Sequence, residues 1–235
     1  MNLLIKLAAA LLPAILLLIY IYWRDPQKEP TKALIRAVLL GAFLCVPVAF
    51  LESFIESLLF DKGVSLSLAG TTVKAFMVAA LPEEAAKLFV LWLIARTNRH
   101  FDEHFDGIVY AVYISLGFAA IENIFYVLGS ENWLSVAFGR ALLSVPGHYA
   151  FAVIMGYCYS IYRFVQPSVK NAVFVLLMPV MAHGIYDALA MSGEANPYAG
   201  SIGFFILIYF CIKMHKIAGQ RIDTLIMKDR ESSYQ

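Results

Sequence analysis

The chain has 235 residues, of which 61% are hydrophobic and 15% charged, with a mean hydropathy of +0.73. A soluble domain is nearer about 45–50% apolar and about 25% charged, so an ordinary soluble globular protein is excluded. The net charge of +1 does not suggest a nucleic-acid partner. Cys45, Cys158 and Cys211 stand far apart in apolar runs, without metal-ligand or disulfide spacing, and read as buried thiols.

A membrane-crossing helix takes about 20 mostly apolar residues. The first such run is Leu3 to Trp23. No small-residue cleavage site follows a short apolar core, so it reads as a retained anchor. Arg24 to Thr31 is a polar, proline-bearing connection. The second run, Ala33 to Phe60, is long enough to tilt, and Pro47 predicts a kink in it. Asp61 to Ser67 reads as a turn. Further spans follow at Thr71–Ala95, Gly107–Leu128, Leu134–Tyr162, Lys170–Met191 and Tyr198–Ile212. Between the third and fourth, Arg96 to Asp106 is the most charged segment and reads as a solvated loop. The tail after Lys213 is polar and only weakly amphipathic.

The expected fold is therefore all-α: a polytopic transmembrane bundle of about seven or eight helices, with kinked spans around an intramembrane polar cavity. One integral membrane domain fills residues 1–235, with a catalytic core at about 71–191, and the lipid bilayer is its first partner. Basic residues set the orientation. Arg24, Lys28 and Lys32 follow span one. Arg96 and Arg99 follow span three, Arg163 and Lys170 flank the turn after span five, and Lys213, Lys216 and Arg221 follow span seven. Opposite loops offer little beyond Lys62 and Lys6. The alternation predicts an N-terminus outside and a C-terminus inside. Ala111, Ser115 and Ala119 form a small-residue stripe that lets helices pack closely in lipid.

Charged groups inside these spans carry the functional argument. A charge at mid-bilayer costs about 2.5–3.5 kcal/mol on insertion scales, yet Glu83, Glu84 and Lys87 stand together within span three. Glu83 and Lys87 are four apart in the favoured order for a helical ion pair, which leaves Glu84 as the freer carboxylate and candidate general base. Pro82 predicts a kink just before them. Glu122 shares a helical face with Tyr126. Arg140, Ser144 and His148 form one stripe, with Pro146 bending the helix. Ser144 lacks a nucleophile elbow and reads as a packing hydroxyl. Arg140 is expected to neutralise a carboxylate near its end of the bundle, Glu52 or Glu56. His183 and Asp187 share a face one turn beyond Pro179, where aspartate can fix a histidine tautomer. Counted along their helices, these groups fall from mid-membrane toward the outer side.

The segments Glu83-Glu84-Ala85-Ala86-Lys87, Phe118-Ala119-Ala120-Ile121-Glu122-Asn123, His148 and His183-Gly184-Ile185-Tyr186-Asp187 resemble the PrsW family of intramembrane endopeptidases. That family is similar to the type II CAAX prenyl endopeptidases and the bacteriocin-processing abortive-infection proteins. Glu122 stands where the prenyl-protease branch typically has histidine, which argues against a CAAX substrate. The resemblance implies first-step cleavage of a membrane-anchored, anti-sigma-factor-like protein near the outer half of the membrane. It implies a catalytic set of Glu83, Glu84, Glu122, His148, His183 and Asp187. In a metal-free version Glu84 activates water with help from Glu83, and Lys87 tunes the pair. His183 and Asp187 steady the oxyanion. His148 protonates the leaving amine or orients water, while Glu122 completes the cavity. The chain has no His-Glu-x-x-His zinc helix; a single divalent metal such as zinc, if used, would take Glu84, Glu122, His148 and His183. The residues alone also admit a proton-coupled secondary transporter, or an assembly factor that uses buried ion pairs to order its helices.

Overall fold

A computed structural model describes residues 3–60 and 66–232, and every regular element in them is helical. The helices are α1 (Leu3–Arg24), α2 (Thr31–Leu59), α3 (Leu68–Val73), α4 (Leu81–Thr97), α5 (Asp106–Gly129), α6 (Trp133–Gly139), α7 (Val145–Ser160), α8 (Val169–Ala190), α9 (Ser192–Ala195) and α10 (Pro197–Ser232). Wide π-helical turns at Lys74–Ala80, Arg140–Ser144 and Ile161–Val165 join or extend several of them.

Among the described residues, six helices are long and apolar enough to cross a membrane: α1, α2, α5, Trp133–Val165, α8 and α10. The run Leu68–Thr97 is also continuously helical but is not one of the six. It carries Lys74, Glu83, Glu84 and Lys87, the charges that mark it from sequence. The polytopic helical bundle is thus present. α2 continues unbroken through Pro47. The expected turn at Asp61–Ser67, with Lys62, lies almost wholly outside the described residues; Ser67 is described, and its hydroxyl caps α3 by accepting from the Gly70 N–H at 3.2 Å.

α5 forms the axis. It packs on α1, α2, α4, α6 and α7, and its first two-thirds is buried almost without interruption. Small residues allow this. A Cβ on Gly41 would stand 1.9 Å from the Ile114 carbonyl oxygen, and one on Gly117 would stand 2.2 Å from that of Val38. α2 and α5 therefore touch backbone to backbone. Gly107 and Gly156 do the same for α5 and α7. Close approach of this kind replaces the hydrophobic drive that lipid cannot supply.

Two sequence expectations are corrected at the basic end of the bundle. The tail after Lys213 is not a separate polar segment: α10 runs on to Ser232 and buries Met214, Ala218, Ile222 and Leu225 against the core. The segment from Arg96 to Asp106 is not simply solvated. Phe101 and Phe105 are buried, and Phe101 stacks on Tyr110 and Phe164. Its backbone is held by carboxylates. Asp106 accepts from the N–H groups of Asp102 and Glu103 at 2.9 and 2.7 Å, and Asp229 accepts from those of His104 and Phe105, each at 2.8 Å. Nearby, Glu29 is hydrogen-bonded to the Tyr110 hydroxyl.

Burial, reinforced by Asp229 and Asp25, pushes the Glu103 carboxyl up to about 7. A carboxyl raised in the folded state favours folding below its unfolded value, and that contribution is lost as pH rises through the folded one. Asp25 and Glu29, both held mainly by burial, shift the same way. Melting temperature in detergent is therefore expected to fall between about pH 5 and pH 8, and Glu103→Gln should flatten that fall.

Candidate active site

Proline shapes the two helices that carry the central groups. Pro82 and Pro146 lie in the first turns of α4 and α7, each directly after a π-helical turn. Proline has no N–H to donate, and its ring crowds the carbonyl four residues back. A widened turn removes both conflicts and re-aims the side chains that follow. Such turns are frequent at functional sites. The bends expected at these prolines thus take the form of wide turns. From them, α4 presents Glu83, Glu84 and Lys87, and α7 presents His148. α5 adds Glu122 and α8 adds His183 and Asp187.

Lys87 is the hub. The residue is only 1% exposed, and its ammonium donates to Glu83 Oε2 at 2.7 Å and to Glu84 Oε1 at 2.9 Å. It lies 3.3 Å from His148 Nδ1 and sits 4.4 Å over the Phe118 ring. On its other nitrogen, His148 contacts Glu122 Oε2 at 2.9 Å. An ionised Glu122 accepts from Nε2–H, which leaves Nδ1 to accept from the ammonium. Ser115 of the small-residue stripe donates to the His148 carbonyl at 3.1 Å. His183 Nδ1 lies 2.9 Å from Glu84 Oε1, its Nε2 lies 3.3 Å from Asp187 Oδ2, and Phe151 stacks on its ring at 4.8 Å. A carboxylate at each ring nitrogen is satisfied only by a doubly protonated ring.

Glu84 is not the freer carboxylate. It is 0% exposed, and its Oε1 serves both Lys87 and His183, while its Oε2 has no hydrogen-bond partner. Glu83 is the one that reaches open space. A cavity of about 860 Å³ is lined by Glu83, Glu122, Ser144, His148, His183 and Asp187, with Glu84 and Lys87 behind that wall. All six residues expected from sequence are therefore linked by contacts around Lys87 and the two histidines.

The expected partner of Arg140 is corrected. It pairs neither with Glu52 nor with Glu56. Its guanidinium lies 2.8 Å from Glu122, donates to Asn123 Oδ1 at 2.5 Å and stacks 4.1 Å over Tyr126. Glu56 instead pairs with Lys74 at 2.8 Å. Asn123, next to Glu122 in the motif, donates to the Ala10 carbonyl at 2.7 Å and so ties the network to α1. Phe118, within the same motif, supplies the face beneath Lys87. Their place beside Glu122 was the available signal.

The donor groups also bear on a metal. Glu83, Glu84 and His148 offer ligand atoms within 4.8 Å of one another, all buried, and Glu84 keeps an oxygen without a partner. Two carboxylates and an imidazole suit zinc. The four-residue set expected from sequence is not gathered this closely among the described residues: Glu122 approaches His148 from its far nitrogen, and His183 lies beyond Glu84. Lys87 is bonded to the same three donors, so an ion would compete with its ammonium.

Removing one partner of a buried charge network costs about 3–5 kcal/mol. Lys87→Met should lower thermal stability in detergent by that order, and Glu83→Gln added to it should restore part of the loss.

The family model described as PrsW family intramembrane metalloprotease matches residues 29–214. Protease PrsW of Oceanobacillus iheyensis is 34% identical over 221 residues, covering 94% of this chain and 98% of the relative. Protease PrsW of Geobacillus kaustophilus is 36% identical, with 90% of each chain covered. The protein of the same name from Bacillus subtilis is 36% identical over 77% of this chain and 80% of its own length. No solved structure matches the chain significantly.

Proposed function

This chain belongs to the PrsW family of intramembrane proteases, and on that premise we propose that the buried cluster around Lys87 is its peptidase centre. The protein is a multi-pass membrane protease. The observation that carries the assignment is one ammonium bonded to two carboxylates and facing an imidazole, at the wall of a large cavity. A transporter or an assembly factor has no use for that arrangement beyond charge balance, and the family is one of proteases.

In this reading Glu83, the carboxylate of the pair that faces the cavity, takes a proton from the attacking water. Glu84 stays ionised between Lys87 and His183 and holds both in register. The new C–O bond converts the carbonyl to a tetrahedral oxyanion. His183 steadies it, because its 3.3 Å contact to Asp187 is the longer of its two and the one a carbonyl oxygen can replace. His148, 3.9 Å from Glu83, relays the proton to the leaving nitrogen as the C–N bond breaks. Glu122 and Arg140 fix its orientation. A divalent ion such as zinc, held by Glu83, Glu84 and His148, would supply Lewis acidity to the water and the carbonyl.

The substrate in this proposal is a membrane-anchored protein of the anti-sigma-factor type, receiving its first cut. The cavity extends to Lys74, Gly193 and Glu194, at the end of the bundle opposite the basic loops. With those loops and the C-terminus inside, the cut falls toward the outer half of the membrane. Reporter fusions after Lys216 should then read as inside, and fusions within Gly193–Pro197 as outside.

The decisive experiment incubates purified protein with single-span substrates. Glu83→Gln and Glu84→Gln should each reduce cleavage by about 100-fold or more, the usual scale for losing a general base or its support, assayed on protein shown to be inserted and folded below the lowered melting temperature that loss of a network partner brings. His183→Ala should be comparably severe. Cleavage is expected to survive a strong chelator, since Lys87 already supplies the cation. Loss on chelation, restored by zinc, would hand the three donors to a metal; glutamine variants that stay fully active would reject the centre altogether.

A further inference from the structure

The cavity wall carries more negative charge than its cations balance. Glu56 is neutralised by Lys74, Glu122 by Arg140, Glu83 by Lys87, and Asp187 faces His183. Glu52 is left over. It lies on α2, one turn before Glu56, and lines the same cavity as Glu83, Glu122, His148 and His183. Its Oε1 is buried without a hydrogen-bond partner. An unpaired carboxyl in such a place is costly, and the bundle offers it no cation although one stands a turn away on Glu56.

We propose that Glu52 is a specificity-determining residue, forming an anionic subsite that binds the lysine or arginine side chain of a substrate segment lying in the cavity. The inference rests on the assignment of this cavity as the peptidase site. The chemistry follows from the geometry. A peptide that lays its backbone along Glu83 and His183 brings its side chains to the surrounding wall, where, among the described residues, Glu52 is the lining acid that keeps a buried oxygen without a hydrogen-bond partner. An ammonium or guanidinium there gains a charge-assisted hydrogen bond. Acidic side chains at the same place meet several carboxylates and are rejected, so discrimination comes from both attraction and repulsion. The energy is available only to a residue deep enough to leave water, which places the recognised base near the cut bond rather than at the membrane surface.

The test uses three fluorescent twelve-residue apolar peptides that differ at one central position, lysine, glutamine or glutamate. Binding and cleavage are measured with the full chain in detergent micelles. The wild type should bind the lysine peptide at least about tenfold more tightly than the glutamine peptide, the factor expected for one charge-assisted bond, and the glutamate peptide more weakly than either. In Glu52→Gln the lysine-to-glutamine ratio should fall to near one. In Glu52→Lys the order should reverse in favour of glutamate. A wild type that does not prefer lysine, including one that binds none of the peptides, overturns the proposal, as does a preference that survives Glu52→Gln. Glu84→Gln, run beside them, separates the two levels. If it stops cleavage while Glu52 has no effect on the ratio, the peptidase centre stands and the subsite falls. If the lysine preference follows Glu52 while cleavage ignores Glu84, the subsite stands apart from the catalytic assignment.

Discussion

Everything in this bundle is arranged around one buried ammonium. Lys87 is enclosed on every side: carboxylates from its own helix, an imidazole from α7 and an aromatic face from α5. In a medium of low dielectric neither the two glutamates nor the lysine is tolerable alone, whereas together they form a compact group with little residual field. The same constraint propagates outward. Glu84 needs His183 for its shared oxygen, His183 needs Asp187, His148 needs Glu122, and Glu122 needs Arg140. Arg140 leans on Asn123, which ends the chain of dependence on a backbone carbonyl of α1. Five helices are thus tied by polar contacts that lipid cannot replace.

Packing makes the network possible. Carboxylates and imidazoles have short reach, so the helices that carry them must lie close together. Glycines at the α2–α5 and α5–α7 crossings set those distances by letting backbone meet backbone. Gly184, next to His183, plays the same part for α8: a Cβ there would sit 2.4 Å from the Phe76 ring in the π-helical turn. The π-helical turns then rotate the motif residues into register. Space, aim and charge are three separate requirements, met respectively by glycine, proline-associated wide turns and Lys87.

Much of this was legible in the sequence. Span positions followed from apolar length, and the motif residues announced themselves because charge in lipid is expensive. Helical spacing correctly joined Glu83 to Lys87 and His183 to Asp187, since both pairs lie within one helix. Pairings across helices were not legible. Apparent depth points Arg140 at α2, but a side chain that long reaches several helices, and the choice of Glu122 depends on how α5 and the π-helical turn at Arg140–Ser144 are rotated. The same holds for Glu83 and Glu84: spacing shows that the two diverge, and only packing decides that Glu83 is the one that lines the cavity. The length of α10 is not legible in the sequence because its C-terminal half buries only a thin apolar stripe, Met214, Ala218, Ile222 and Leu225, beneath a polar surface.

The C-terminal half of α10 closes the basic end of the bundle. Asp229 closes the exposed N–H groups ahead of α5, and Asp223 pairs with Arg24 at the foot of α1. Both partners are synthesised long before α10. The basic end of the bundle is thus closed by contacts between residues 125 and 199 positions apart in the chain. Contacts of that sequence separation form only once the intervening helices are packed, so the Asp229 and Asp223 pairings report on the completed bundle rather than on any one helix.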